Sequence, residues 1–514
     1  MRCVGPEPTL SVREAAAAGG GSSLKGRRRA YFAGGFVDAE VHDRYALAPG
    51  ARIAGPAMVE EREATTVVPP SDVLTVDAAG NLCIAVAQAA RAAAPFDHAR
   101  PLDEQCAGIE ADPIALEIMW GRLVNVTEEM WSTVIRTAFS LTISEAQDFA
   151  CELLDENGDK LVHSPRAMPV FNMTLPTAVK GMMKVYPREK LQPGDVLICN
   201  DPWLCAGHLF DVAIVTPIFR DGALVGFAGA IGHVSDIGGT KESLRAREIY
   251  EEGLQIPPLK LYKAGEPNDD VIRLLAENVR ESDQVLGDLH ALIGANALGA
   301  DRLNRFMDEY AMKDLRALGR VIQGRSERAM REALRAFPAG VYETEVWSNP
   351  LGDPLRVPLK VTVSADAVTL DYAGAPPQLP QGGLNVVLNY SAAYTAYPLK
   401  CILSPNVRGN AGDLRPVKVV APPGSIMNCT RPASVGIRHR LGWYAATCVL
   451  NALAPAAPAQ VKAFTGLPCV TYWYAKGPDG TIYSDMMFSG GGEGAKLRSD
   501  GKSGLLWPTS AANT

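Results

Sequence analysis

The 514-residue sequence carries no excess of positive charge: 50 Lys and Arg stand against 57 Asp and Glu, for a net charge of -7. Phosphate backbones demand clustered cations, so this balance excludes nucleic acid as the expected partner. The one dense basic run, Lys25-Gly-Arg27-Arg28-Arg29, lies beside a Gly/Ala-rich stretch and reads as a solvated linker. No apolar run reaches the length of about 18 residues that a spanning helix needs, and the N-terminus lacks the charged-then-apolar order of a secretory signal. These absences predict no membrane contact and a cytoplasmic location. The ten cysteines include no CxxC pair, which argues against a disulfide framework or a zinc ribbon. GxxxxGK[ST], GxSxG and a GxGxxG between strand and helix are all missing, so no nucleotide site and no serine nucleophile can be placed.

What is present is an ordinary globular composition, 47% hydrophobic and 21% charged, in a chain too long for one core. Residues 1–30 read as a linker or truncated edge. Short apolar runs between turn signals make 31–86 a small β module, and 87–111 reads as a second linker. From Asp112 the pattern changes. Asp112-Pro113 supplies an N-cap and a proline at the first helical position, and Leu116, Met119, Leu123, Val126, Met130 and Val134 recur at helical spacing. Strands follow at Phe149–Leu154, Val196–Cys199, Val212–Phe219 and Leu224–Ile231, the last two joined at Asp221-Gly222 as an antiparallel hairpin. Three or four helices are expected over Asp269–Phe337, a β meander over Tyr342–Tyr372, and two buried helices beyond. The class is α+β, multi-domain, with strands and helices in blocks.

The densest polar constellation lies between Asn200 and Gly239. His208 and Asp211 sit three apart just before one hairpin strand, and His233 and Asp236 sit three apart just after the other. Pairing of those strands brings both His-x-x-Asp pairs to one sheet end. Two imidazoles with one or two carboxylates suit Zn, Mn or Fe(II). The alternative is local: each His satisfied by backbone and each Asp closing an Asx-turn. Glu145 and Asp148, just before the strand FACELLD, offer a further carboxylate or simply surface charge. Cys205 reads as a loop residue, with a soft ligand or reactive thiol as the other possibility. The Gly/Asn-rich segments at 381–385, 408–412 and 489–494 read as tight turns more readily than as anion cradles.

The segments NDPWLCAGHLFDVAIVTPIF and GHVSDIGG resemble the NDP...GG.HLPDV...PVF and HH.DIGG segments of the hydantoinase B/oxoprolinase family. DPIALEIMWGRLVNVTEEM, DFACELLDENGDKLVHSP, NAGDLRPVKVVAPPGSIMN and GGGEGAKLRSDG extend the resemblance over about 112–514. One position departs: Val234 stands where HH.DIGG has its second His. The stretch from Arg29 to about Ile84 resembles the closing segment of the hydantoinase A family, whose main body carries the ATP site. A tail of A followed by B resembles a slice of a fused A-B polypeptide that stops before the family's usual end.

The resemblance implies a divalent-metal site at His208, Asp211 and His233; Asp148 and Asp236, from their positions beside these residues, are the candidate catalytic carboxylates. It also implies a small-molecule substrate and a hetero-oligomer with a hydantoinase A-like polypeptide or domain, through which alone ATP and Mg would be used. The implied activity is ATP-dependent opening of a hydantoin or 5-oxoproline-type ring. The alternatives are a component of a ketone carboxylase of the acetone or acetophenone type, and an incompetent fragment with an assembly role. Alone, the chain is not expected to turn over substrate.

Overall fold

The computed structural model describes residues 22–32, 35–86, 98–241, 244–350, 352–466, 469–478, 480, 482–490, 492–505 and 507. Of the two expected linkers, residues 1–21 and 87–97 lie outside these. The chain divides into two compact units, residues 1–94 and 95–514.

The first unit is all β. Strands Leu24–Phe32, Gly35–Asp43, Ala57–Glu60 and Thr65–Val68 form one sheet, and Arg52–Ala54, Val73–Val76 and Leu82–Ala85 form another. Alternating side chains bury Ala57, Val59, Val68 and Leu74 in a small core of its own. The basic run expected as linker is instead part of the first strand. Lys25 pairs with Glu60 at 2.5 Å and Arg27 with Glu40 at 2.8 Å. Acidic partners come from neighbouring strands, which linear sequence cannot place.

The second unit opens with α1, Leu102–Ala111, and α2, Pro113–Thr137. Residues 102–111 were expected as linker because of their charge; they form a helix whose single fully buried residue is Ile109. Asp112 caps α2 by accepting from the Ala115 N–H at 2.9 Å, and all six expected apolar positions are buried. Next come β1, Phe149–Asp155, β2, Lys160–His163, α3, Pro169–Val185, β3, Val196–Cys199, β4, Asp211–Arg220, β5, Ala223–His233, β6, Leu259–Lys263, and β7, Glu266–Pro267. They build a seven-stranded sheet of order β7-β6-β3-β4-β5-β1-β2, antiparallel throughout.

Helices α4, Asp269–Asn278, α5, Ser282–Glu309, and α6, Arg316–Ala336, follow as expected. A three-stranded meander, β8, Gly340–Ser348, β9, Leu355–Val363, and β10, Val368–Asp371, precedes α7, Leu388–Leu403, β11, Val417–Val420, and α8, Tyr444–Leu453. The large sheet is covered on both faces. Gly232 abuts Leu292 of α5, and Gly229, of opposite parity on β5, abuts Leu175 of α3. Double coverage explains why every residue of β1 is buried although its pairing is antiparallel. Helix α3 was not legible: Pro176 interrupts it, and burial of most of its circumference leaves no clean polar stripe.

Candidate metal centre

The hairpin of β4 and β5 sets the geometry. Asp221 and Gly222 both take positive φ, 48° and 79°, the two-residue turn whose twist matches paired strands. From that turn the register runs to Asp211 directly opposite His233. On the next strand the His233 N–H donates to the Asp148 carbonyl at 3.0 Å, so Asp148, His233 and Asp211 stand in a row across three strand ends. His208 enters from the preceding loop. Asn200 ties that loop down: its side-chain NH2 donates to the carbonyls of Leu209 and Leu254, and its side-chain oxygen accepts from the Ile256 N–H. Gly207 lets the loop pass, with φ of +97° and no room for a Cβ beside Arg438 and Tyr390.

The three sequence-read ligands thus converge. His208 Nε2 lies 2.8 Å from Asp211 Oδ1, and His233 Nδ1 lies 3.6 Å from the same oxygen and 3.5 Å from Asp148 Oδ2. One ligand atom from each of His208, Asp211 and His233 falls within 4.8 Å of the others, and all three residues are buried. His208 Nδ1 is 3.2 Å from the Gly436 carbonyl and its Nε2 is 2.8 Å from Asp211 Oδ1. Burial pushes His208 down to about 4, with Arg438 adding to the effect, so the ring is neutral at neutral pH and carries a single proton between these two contacts. With that proton on Nδ1, donated to Gly436, Nε2 is free to ligate beside Asp211. The donor set fits a divalent metal.

Charges around the centre are arranged accordingly. Burial alone would raise Asp211, but His208 and Arg438 hold its carboxyl far below the usual range. Arg438 Nη2 donates to Asp211 Oδ2 at 2.7 Å, its Nε donates to the Ala206 carbonyl, and its guanidinium lies over the Tyr390 ring. Asp148 is pushed up to about 6 by burial, with His233 opposing and Asp211 reinforcing, and its Oδ1 has no hydrogen-bond partner among the described residues.

The other sequence candidates lie elsewhere. Asp236 is taken up by Arg280, whose Nη1 donates to Oδ1 at 2.6 Å and whose backbone N–H donates to Oδ2. Glu145 is exposed. Cys205 is fully buried, and its thiol is pushed well up by the neighbouring Cys199 and by burial, which makes it unreactive. Val234 is buried, its N–H donating to the Phe210 carbonyl.

Against known proteins, residues 112–514 match the model described as Hydantoinase B/oxoprolinase, and residues 3–82 match the Hydantoinase/oxoprolinase C-terminal domain. The chain belongs to the hydantoinase B/oxoprolinase family. It is 31% identical to the B component of a putative D-/L-hydantoinase of Pseudomonas sp. (strain NS671), over 76% of this chain and 69% of that protein. To 5-oxoprolinase 1 of Arabidopsis thaliana it is 27% identical, over 85% of this chain but 36% of the relative. The chain therefore spans about a third of that longer relative. The crystal structure of the ATP-dependent caprolactamase from Pseudomonas jessenii superposes with a TM-score of 0.71 at 28% identity, covering 76% of this chain and 69% of that one. A nucleotide-free acetone carboxylase structure shares the fold, with a TM-score of 0.70 at 17% identity over 80% and 57% of the two chains.

Within this family member, Arg438 and the Gly436 carbonyl are the residues that sequence reading missed. They lie more than two hundred residues from His208, and spacing carries no information over that distance. The available signal was a cationic Arg-His-Arg run directly after the apolar SVGI.

Proposed function

We propose that the chain is the B-type half of an ATP-dependent enzyme that opens a cyclic amide of the hydantoin or 5-oxoproline kind. In this reading His208, Asp211 and His233 hold a divalent cation (Mn, Zn or Fe), and an A-type partner supplies the ATP and Mg chemistry. The observation that carries it is the buried convergence of His208, Asp211 and His233, one ligand atom from each within 4.8 Å of the others. The relatives support the substrate class: the B component of a hydantoinase, and the beta component of the caprolactamase of Pseudomonas jessenii, 31% identical over 69% of this chain.

A cation at this position supplies positive charge where a carbonyl oxygen becomes anionic. The residues do the rest. Arg438 keeps Asp211 ionised and pointed at the centre, and Gly436 orients His208. Asp148, buried and raised to about 6, takes a proton from attacking water at its unpartnered Oδ1 and returns it to the leaving nitrogen. Asp236, through Arg280, anchors the loop that follows His233. A ketone carboxylase component is the second reading, supported by the shared fold of acetone carboxylase. A mere assembly fragment has no physical use for buried, converging ligands.

The test is metal analysis of chain purified without chelator, beside a His208→Ala/His233→Ala variant, then reconstitution with an A-type partner and ATP. Near-stoichiometric metal that disappears in the variant, and ATP-dependent hydrolysis of hydantoin, 5-oxoproline or caprolactam, is expected. Metal-free wild type after supplementation overturns the metal role; carboxylation of acetone with bicarbonate, without amide hydrolysis, selects the second reading.

A further inference from the structure

A second cavity, of about 280 Å³, opens at the β2 edge of the large sheet, where α3 and α7 meet the loop around 407–414. Asp148 and Glu152 have the same parity along the line of β1, so the cavity's polar floor lies on the sheet face that carries the metal centre, about 13 Å along the strand. Helix α7 spans the same interval. Tyr390 lies under Arg438, and Lys400, about 15 Å further at helical rise, lines the cavity.

The charges lining it do not balance. Lys400 pairs with Asp413 at 3.2 Å and Arg408 with Glu117 at 2.5 Å. Lys160 is 3% exposed, and its ammonium donates to two neutral acceptors, the Asn172 carbonyl at 2.8 Å and side-chain oxygen at 3.3 Å. Among the described residues no carboxylate forms an ion pair with it. Glu152 and Asp413 act on it from beyond ion-pair distance; both Glu152 oxygens are buried with no hydrogen-bond partner among the described residues, and burial pushes this carboxyl up to about 8, with Lys160 opposing. Burial also pulls the Lys160 amine below its usual value, the same imbalance seen from the cation. His163 is held neutral by burial, with Nδ1–H on the Ser164 carbonyl, and contributes no charge. A buried ammonium with no carboxylate in contact is costly, and an anion entering the cavity would relieve it. The Asn172 side-chain NH2 has no partner among the described residues and offers a second donor, while Val124, Met173, Val407 and Leu414 give the walls an apolar lining.

We propose that this cavity is a second ligand site, separate from the metal centre, which takes a small carboxylate bearing a short apolar tail. The carboxylate pairs with Lys160 and accepts from Asn172; the tail lies against the apolar walls.

Butyrate is the probe, with butyramide and n-butylamine as uncharged and cationic controls, titrated by calorimetry into chelator-treated full chain. Saturable binding of butyrate alone is expected, at least about tenfold weaker in Lys160→Met and abolished in Val407→Trp, which fills the cavity and leaves its charges in place. Should Lys160→Met fail to fold, Val407→Trp decides the location and butyramide the charge. Absence of saturable butyrate binding, butyramide binding as tightly as butyrate, or unchanged binding in Val407→Trp overturns the proposal. With the metal stripped, none of these results bears on the metal centre, and a failure of the metal reading leaves this site standing.

Discussion

The two buried polar clusters on one face of the sheet are electrostatic opposites. At the strand ends, Asp211, His208 and His233 bring ligand-type atoms together, with Arg438 paired to the carboxylate. About 13 Å along β1, Lys160 presents a cation with no carboxylate in ion-pair contact among the described residues. Both are built on the same sheet and both are desolvated. The difference comes from which neighbours the fold delivers: the 434–438 segment brings a guanidinium that holds a carboxylate in its charged state by direct contact, whereas β1 brings Glu152, which burial pushes up and which only Lys160, out of ion-pair contact, opposes. Burial of polar groups is therefore not one signal but two, and the sign of the missing charge identifies the kind of ligand.

The largest effect expected from breaking this contrast is at Asp211. Asp211→Asn removes a ligand and leaves Arg438 buried and unpaired, so metal should be absent by mass spectrometry and stability should fall by about 3–5 kcal/mol in denaturant titration. Retention of metal would show that the two histidines suffice. Next comes Asp148→Asn, which should leave the metal content intact while the reconstituted activity drops about 10²- to 10⁴-fold, the range for a lost proton acceptor. A drop in metal instead would make Asp148 a ligand.

At the second cluster the effect is a pH dependence. The folded pKa of Glu152, about 8, stands above its ordinary 4.5, so the native state holds the proton more tightly than the unfolded chain. Its contribution is full at low pH and is lost as pH rises through that window, by up to about 1.4 kcal/mol per pH unit. Glu152→Gln should flatten the stability profile between pH 5 and 8; an unchanged slope would mean that Lys160 ionises Glu152 after all. The smallest change is expected for Asp236→Asn. Its partner Arg280 is partly exposed and can turn to water, so stability should fall by about 1–2 kcal/mol with metal content unchanged.

The legibility of the molecule follows the range of the forces. Helix α2 could be read because its cap and its apolar stripe are encoded within single turns, and the β4–β5 hairpin because Asp221-Gly222 marks its turn. Convergence at one sheet end follows from that turn, but the exact facing of Asp211 and His233 also needs the bulge beside Ile218 and Phe219, which shifts the register by one residue and was not legible. Residues 24–30 and 102–111 were misread as linker because what orders them, Glu40 and Glu60 for one and burial of Ile109 for the other, is tertiary. The sequence by itself determined the candidate His-x-x-Asp pairs, the hairpin that presents them and the family. Only the tertiary structure decided that Arg438 and Gly436 contact Asp211 and His208, that Asp236 pairs with Arg280, and that Lys160 is buried with no carboxylate in ion-pair contact among the described residues. Each of these depends on charges brought together from distant segments inside a desolvated core, where proximity and not spacing sets the energy.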